Sequence, residues 1–374
     1  MLNPRPKPPA ATPAAAIDNP RLIAHSQQPY NAEPPTDQLR ASFITPQHGF
    51  YVRSHGGIPV LDPAAHRLRV GGRVAAALDL SLGELRSGFP SRTVMATMQC
   101  AGNRRADMQR VRPTSGDTWA SGAIGNAEWT GAPLADVLRA AGADEDAALH
   151  VAFDCADECS VEGKTFHYGA SIPITRALGP EVLLAYAMNG ETLEAEHGAP
   201  LRVVVPGYAG VRSPKWLHTI TVQDTPSANP IQADDYKLFP PHMTKETADP
   251  AKGITINGLP LNSAICEPAP DARLPLGPTT LRGYATATDR DVVRVDVSLD
   301  GGRTWSQAEL EGHSGSSWSW TFWHATLDLP RGEHELAVRA WDDAGQTQPA
   351  LPDDTWNFKG YLSAAWHRVP VLVE

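Results

Sequence analysis

The last third of this 374-residue sequence is a succession of short strand patterns separated by turn residues, and that spacing limits the possible folds most. The turn Asp300-Gly301-Gly302 predicts a hairpin between two of these runs. The runs lie after Gly253, at 281–287, 292–299, 304–310, 318–327 and 334–341. About seven short strands in roughly 120 residues are typical of an immunoglobulin-like β-sandwich, which we expect for residues 253–374.

The preceding part of the chain mixes strand and helix patterns, which predicts an α+β domain over residues 41–240. A helix is predicted over 129–142, with Pro133 near its start and Gly142 at its end. The apolar run 182–188 fits a strand or a buried helix equally well. Strands are predicted at 93–97, 149–153, 201–205 and 216–222. The irregular, proline-containing residues 224–252 predict a connection between the two domains.

Residues 1–40 are rich in proline and alanine. Prolines disfavour both helix and strand pairing, so we expect an extended N-terminal segment. They stand at positions 4, 6, 8, 9, 13, 20, 29, 34 and 35.

Composition excludes several classes of protein. The formal net charge of −10, from 32 basic and 42 acidic residues, argues against a nucleic-acid-binding surface. No run of about 18 apolar residues predicts a membrane span. No hydrophobic signal segment is found before residue 45. We therefore expect a cytoplasmic protein, or a periplasmic one whose signal peptide was removed before the first numbered residue. The four cysteines, at 100, 155, 159 and 266, do not form the pattern of a disulfide framework or a zinc site.

One of the four cysteines, Cys100, has neighbours in the sequence that indicate a functional site. Cys100 follows the strand pattern 93–97 and precedes Arg104 and Arg105 in a loop. Thiolates bind soft metals, nearby arginines lower a thiol's pKa, and guanidinium groups bind oxyanions in a bidentate way. The segment therefore indicates either a metal site acting on a small oxyanion or a buried structural cysteine.

The residues around Cys100, 98–105 (MQCAGNRR), resemble the molybdenum-binding segment of the sulfite oxidase family. Further segments resemble the same family, in the same order, between about residues 45 and 370. They are 50–55 (FYVRSH), 168–173 (YGASIP), 197–207 (HGAPLRVVVPG), 295–302 (VDVSLDGG) and 365–369 (AWHRV).

The resemblance implies a sulfite-oxidase-type α+β molybdopterin-binding domain followed by an immunoglobulin-like domain that forms a homodimer. It also implies a molybdenum-dependent enzyme that oxidises sulfite to sulfate, with Cys100 as the protein's metal ligand. Arg53, Arg105 and Lys359 match the family's cationic substrate contacts. Lysine at 359 departs from the vertebrate pattern, which has arginine there, and this puts substrate affinity in question. Trp119 and Tyr236 match its aromatic contacts.

Matching to the family also implies the residues that hold the molybdopterin. Besides Arg53 and Cys100 they are Tyr51, His55, Asp157, His197, Arg202, Ser213 and Lys215. Among these, Arg202 and Lys215 are the expected counter-charges for the terminal phosphate.

Motifs for a second redox centre are absent from the sequence. It contains no Cys-x-x-Cys-His haem attachment site and no G-x-G-x-x-G segment after a strand. We therefore expect no haem and no flavin, and electrons that leave to an external acceptor, a cytochrome in the first instance. A related nitrate or sulfoxide reductase is the alternative enzyme, and a non-catalytic binding protein is the alternative outside enzymes.

Overall fold

The computed structural model describes residues 12–13, 19–161, 163–312 and 315–374. Most of the predicted N-terminal segment before residue 19 therefore lies outside the described residues. Within the described ranges, no helix is long and apolar enough to cross a membrane.

The described part of the N-terminal segment is folded, and the prediction that its prolines prevent strand pairing is wrong. Ile23–Gln27 and Tyr30–Glu33 form an antiparallel hairpin, which pairs further with Val52–Arg53. The prolines are accommodated because Pro29 lies in the turn, while Pro34 and Pro35 follow the second strand and precede the helix Thr36–Arg40. Thr12–Pro13 also pairs, with Pro59–Val60.

Two sheets form the framework of the following domain. The first has the strand order Lys164–Pro173, His150–Val161, Leu217–Gln223, Arg67–Gly72 and Leu78–Ser81. Its pairs are antiparallel except that between Leu217–Gln223 and Arg67–Gly72. The second has the order Glu191–Thr192, Leu183–Met188, Ile124–Pro133 and Arg92–Gln99, with Arg202–Val204 also paired to Leu183–Met188. Their apolar side chains share one core, which includes Leu68, Phe153, Leu184 and Ile220.

The structure decides one open alternative in this domain and corrects one predicted element. The ambiguous run 182–188 is a strand, Leu183–Met188. The helix predicted over 129–142 is only Leu134–Ala140, because residues up to Pro133 belong to the strand Ile124–Pro133. The apolar face that indicated the helix is real, since Leu134, Val137 and Leu138 are fully buried. The first turn is a strand instead, because residues 129–133 pair with Leu183–Met188 on one side and residues 129–131 pair with Arg92–Gln99 on the other.

The helices and turns are short and connect the sheets. The α-helices are Thr36–Arg40, Leu82–Gly88, Arg105–Val111, Leu134–Ala140 and Ile174–Ala177. A π-helix spans Ile231–Asp235 within the otherwise irregular connection 224–252. Short 3₁₀ turns lie at Gln47–Gly49, Ala195–His197, Gly210–Arg212, Pro250–Lys252 and Pro352–Asp354. Lys237–Leu238 and Ile254–Thr255 pair at the two ends of the connection.

The C-terminal residues form the predicted β-sandwich. One sheet has the order Asn262–Glu267, Gly277–Thr286, Thr321–Leu329 and Glu309–Glu311. The other has the order Ala272–Leu274, His367–Val373, Gly332–Asp342, Val292–Ser298 and Ser306–Gln307. Their inward side chains, among them Leu281, Val295 and Trp323, form a common core. The predicted hairpin is confirmed, since Val297 pairs with Ser306 across the turn. The run 304–310 nevertheless divides between the two sheets.

The sandwich packs directly against the first domain. Leu39 and Ile124 share an apolar cluster with Cys266, Tyr284 and Trp320 of the sandwich. The Arg104 guanidinium, which is fully buried, donates to Asn262 Oδ1 at 2.7 Å, to the Ser263 carbonyl at 3.1 Å and to the Ala365 carbonyl at 2.7 Å. The loop that carries Cys100 is therefore anchored in both domains.

Candidate active site

Cys100 lies at the buried end of the strand Arg92–Gln99. This strand is exposed at its start and buried in its last four residues. The Cys100 N–H donates to the Ala123 carbonyl at 2.9 Å, and the Gly102 N–H donates to Cys100 Sγ at 3.4 Å. The loop closes at Arg104, whose φ of 63° is left-handed, and the helix Arg105–Val111 begins there. Cys100 is thereby held at the wall of a cavity.

This cavity, which is partly open to solvent, brings together every residue predicted to hold the cofactor. Beside Cys100, the predicted residues lining it are Tyr51, Arg53, His55, Asp157, His197, Arg202, Ser213 and Lys215, together with Tyr236. They come from five separate segments of the chain, so their convergence depends on the tertiary fold.

Two of the cations in this cavity, Arg202 and Lys215, are hydrogen-bonded to neutral groups. Arg202 donates to the carbonyls of His197 and Ser213 at 2.9 and 3.0 Å, and Lys215 Nζ donates to Ser54 Oγ at 3.0 Å and to the Glu196 carbonyl at 2.8 Å. Burial lowers the pKa of Arg202 to about 10 and lowers the pKa of Lys215. Each cation has neutral partners here, so an anionic group in the cavity would stabilise both charges.

Asp157 is the buried acid of the same cavity. Among the described residues none donates to its Oδ1 atom, and its Oδ2 atom accepts from the Cys159 thiol at 3.8 Å. Burial raises the pKa of Asp157, and Lys215 opposes that shift. An unpaired buried carboxyl oxygen is costly unless a ligand donates to it.

Tyr236 is placed by the π-helix Ile231–Asp235, which ends immediately before it. Its hydroxyl is 2.9 Å from His55 Nε2, and its ring stacks on Tyr361 at 4.9 Å between centroids. Burial raises the pKa of Tyr236 and lowers the pKa of His55 well below its ordinary value. The pair is therefore a neutral phenol beside a neutral imidazole, which can share or pass a proton.

Arg53 enters the cavity from the short strand Val52–Arg53. Burial disfavours its charge, but Tyr236 and Cys100 outweigh that effect and raise the pKa of Arg53. Arg53 therefore supplies a permanent positive charge next to the thiol and the phenol.

The Cys100 thiol differs from the expectation that neighbouring arginines lower its pKa. Burial raises the pKa of Cys100, and the opposing effects of Arg53 and Arg105 are smaller. A metal that replaces the proton would remove this cost, since a coordinated thiol is deprotonated.

Arg105 lies beside the cavity and does not line it. It is 5% exposed, and it donates through Nε to the Lys359 carbonyl at 3.1 Å and through Nη1 to the Asp117 carbonyl at 2.8 Å. Glycines make this room: a Cβ on Gly102 or Gly116 would lie 2.7 Å from the guanidinium. The guanidinium is thus fixed against backbone in a slot that admits no other side chain.

The structure places the two remaining predicted substrate contacts outside the cavity. Trp119 is completely buried in the apolar cluster that contains Cys100, and no residue that the structure describes accepts from its Nε1 atom. Lys359 Nζ pairs with Asp235 Oδ1 at 2.6 Å and lies in a neighbouring cavity. The ion pair with Asp235 therefore directs the Lys359 ammonium away from the Cys100 cavity.

Several residues of the site were missed by sequence reasoning. Tyr361 stacks on Tyr236, and Asp235 pairs with Lys359. The sequence signal for Tyr361 was its closeness to Lys359 in the chain, and the signal for Asp235 was its position next to Tyr236. Glu33 and Asn31 belong to the segment that was expected to be extended, so no signal marked them.

Comparison with known proteins agrees with this geometry. Residues 55–231 match the family model described as an oxidoreductase molybdopterin binding domain. Residues 254–374 match the Mo-co oxidoreductase dimerisation domain. Sulfite oxidase of Gallus gallus is 46% identical over 359 residues, which cover 94% of this chain and 78% of that protein. The chain belongs to the sulfite oxidase family.

Other members and one solved structure extend the comparison. Sulfite oxidase of Arabidopsis thaliana is 39% identical, and the match covers 94% of both chains. The crystal structure of the sulfane dehydrogenase SoxCD from Paracoccus pantotrophus superposes with a TM-score of 0.77 at 26% identity, covering 92% of this chain and 84% of that one. The predicted fold, a molybdopterin-binding domain followed by an immunoglobulin-like domain, is confirmed.

The residues of the cavity fit the molybdopterin cofactor of the sulfite oxidase family. The Asp157 Oδ1 atom, which no described residue pairs, suits an N–H donor such as a pterin offers, and the buried charges of Arg202 and Lys215 suit a phosphate. The Cys100 thiol, on the wall of the same cavity, is a soft donor of the kind that a molybdenum centre accepts. Within the described residues, no cluster of three or more His, Cys, Asp or Glu residues forms an alternative metal site.

Proposed function

We propose that this protein oxidises sulfite to sulfate at a molybdenum–molybdopterin centre bound through Cys100. The observation that carries the proposal is the buried Cys100 thiol in a cavity that also holds Arg53 and the Tyr236–His55 pair. A soft ligand, a fixed cation and a proton-accepting pair are what oxidation of a small oxyanion requires. When bound, the molybdenum centre supplies the two-electron redox chemistry.

The protein's own residues bind and orient the substrate. Arg53 offers its charge to the sulfite anion, and Arg105, locked in its glycine-lined slot, adds a second positive field beside Cys100. Because these cations are fixed before substrate arrives, they cost little reorganisation when charge develops. Lys359 joins them only if the incoming anion displaces it from Asp235.

Tyr236 and His55 handle protons. Oxidation of sulfite with water gives sulfate, two protons and two electrons. The Tyr236 hydroxyl, 2.9 Å from His55 Nε2, is the route by which a proton leaves the buried site.

We further propose that the two electrons leave one at a time to a separate haem protein. The sequence has no haem attachment motif and no dinucleotide fingerprint, so the proposed enzyme contains neither haem nor flavin. A net charge of −10 favours a basic cytochrome, and raised ionic strength should then slow turnover. The proposed assembly is a homodimer through the C-terminal domain, which matches the dimerisation domain of the family.

Nitrate reduction is the second candidate. A nitrate reductase [NAD(P)H] of Hordeum vulgare is 38% identical over 93% of this chain, although the match covers only 41% of that protein. The shared fold and cofactor-binding domain make the substrate the point to be tested.

The test is to load the protein with cofactor, measure its molybdenum content, and compare sulfite oxidation with nitrate reduction per molybdenum. We expect sulfite turnover with a basic cytochrome and little with oxygen alone. Faster nitrate reduction than sulfite oxidation would reject the proposal. Haem or flavin absorption bands in proportion to molybdenum would reject the proposed route for electrons.

A further inference from the structure

The strand Tyr30–Glu33 presents two different faces. Tyr30 and Ala32 point into an apolar cluster, and the alternate side chains, Asn31 and Glu33, are polar and 3% and 1% exposed. Buried polar side chains in a strand next to an active site need an explanation in terms of what they hold.

The Glu33 carboxylate holds the segment 119–123. Its Oε1 atom accepts from the Ala120 N–H at 2.7 Å and from His25 Nε2 at 2.8 Å, and its Oε2 atom accepts from the Gly122 N–H at 2.9 Å. The approach is close, since a Cβ on Gly122 would lie 2.4 Å from the Pro34 carbonyl oxygen. The His25 ring also packs against Trp119, at 4.6 Å between centroids.

The same segment supports the cysteine loop on its other side. The Trp119, Ala120 and Ala123 carbonyls accept from the N–H groups of the loop, at 3.0, 2.7 and 2.9 Å. The donors are Ala106, Arg104 and Cys100 respectively. Segment 119–123 therefore lies between Glu33 and the Cys100 loop, and its peptide groups link the two through consecutive hydrogen bonds.

Asn31 acts on the substrate arginine from the same strand. Its Oδ1 atom accepts from the Ser54 N–H at 2.8 Å and from Arg53 Nη1 at 3.5 Å, and Asn31 pairs with Arg53 in the sheet register. One strand thus holds Arg53 through Asn31, and the Cys100 loop through Glu33.

The negative charge of Glu33 distinguishes it from an uncharged residue that could fill the same space. A negative charge close to a site for an anion opposes binding, and it also contributes to the raised pKa of Cys100. Glutamine has nearly the same shape without that charge, but its amide has only one acceptor oxygen. Only a carboxylate can accept from both backbone N–H groups and from His25 at once.

We propose that Glu33 is a positioning residue of the substrate site, which clamps segment 119–123 and through it the Cys100–Arg105 loop. This inference rests on the proposed oxidation of sulfite. Glu33 touches neither substrate nor metal, and acts by setting where Trp119 and the cysteine loop lie.

The test is Glu33→Gln. The glutamine amide has one oxygen and one N–H₂ group, so the N–H₂ group must face a backbone N–H donor and one of the two hydrogen bonds to segment 119–123 is lost. We expect amide hydrogen exchange at Ala120 and Gly122 to accelerate. We also expect kcat/KM for sulfite, normalised to molybdenum content, to fall by about tenfold to a hundredfold, mainly through KM. His25→Phe, which keeps a ring against Trp119 and removes one donor, should show smaller changes in the same directions, and it serves if Glu33→Gln does not fold.

Gln27→Ala is the matched control, since Gln27 is exposed on the same hairpin. It should leave exchange and kinetics unchanged. If amide hydrogen exchange at Ala120 and Gly122 is unchanged in Glu33→Gln, Glu33 does not clamp segment 119–123. If exchange is faster but kcat/KM per molybdenum is unchanged, Glu33 has a merely structural role and is not a positioning residue. A wild-type protein that loads molybdenum but does not oxidise sulfite refutes the proposed function instead, and exchange then decides on the clamp by itself.

Discussion

Replacing Arg104 by methionine should destabilise the protein by disconnecting its two domains. The guanidinium makes three hydrogen bonds to the C-terminal domain, at 2.7, 3.1 and 2.7 Å, and it is fully buried. Methionine fills similar space but leaves these acceptors unpaired, and each unpaired buried group costs about 1–3 kcal/mol. Because the losses are not additive, we expect the free energy of unfolding to fall by about 3–5 kcal/mol. The left-handed backbone at residue 104 is equally unfavourable for both side chains, so it does not contribute.

The assay is thermal and denaturant unfolding, with Arg110→Met as the matched control. Arg110 lies on the same helix, 60% exposed and 3.9 Å from Asp107, so its loss should cost less than about 0.5 kcal/mol. Arg104→Met should lower the unfolding midpoint by roughly 5–10 °C. A midpoint equal to that of the control would refute the reasoning that Arg104 ties the domains together.

Three further predictions concern single residues. Cys100→Ser should retain the pterin, which other residues hold, but lose turnover; wild-type turnover with molybdenum bound would reject Cys100 as the ligand. Arg53→Gln should lower kcat/KM for sulfite by about tenfold to a hundredfold, and steady-state kinetics showing no change would remove Arg53 from the substrate site. Burial lowers the pKa of His367 to about 4, and its Nδ1 atom accepts from the Ile265 N–H at 3.0 Å. The neutral His367 side chain therefore contributes about 3 kcal/mol to the free energy of unfolding above pH 6.5, and this contribution is lost as pH falls toward 4. His367→Asn should reduce the change in the free energy of unfolding between pH 6.5 and pH 4. An unaltered pH dependence of that free energy would contradict this.

Sequence reasoning succeeded where a residue's neighbours in the chain already define its setting. The strand before Cys100 and the break after it were visible locally, and the resemblance around residues 98–105 extended to the segments that converge on the cavity. The sandwich was predictable for the same reason, since strand alternation and turn residues are local signals. These patterns specify which face of a strand is buried, and most of the fold could be predicted from them.

The failures have tertiary causes. The first turn of the helix predicted over 129–142 became a strand because partners on both sides supplied hydrogen bonds. The match of Lys359 to a substrate contact stays a prediction, but its ion pair with Asp235, from a distant segment, could not be foreseen from the sequence. Glu33 lies in a proline-rich segment, and its partners are backbone N–H groups, which leave no side-chain pattern to find.

The stacking of Tyr361 on Tyr236 has a consequence for the order in which the protein is made. Tyr361 follows every residue that lines the cavity, and Asn357 holds it by accepting from its N–H at 3.0 Å and donating to its carbonyl at 2.8 Å. During synthesis, the ribosome therefore completes all of the cavity-lining residues before it produces the ring that packs behind Tyr236. A nascent chain that ends before residue 357 contains every residue that lines the cavity but lacks this support. The packing behind Tyr236 is thus complete only once residue 361 has been synthesised.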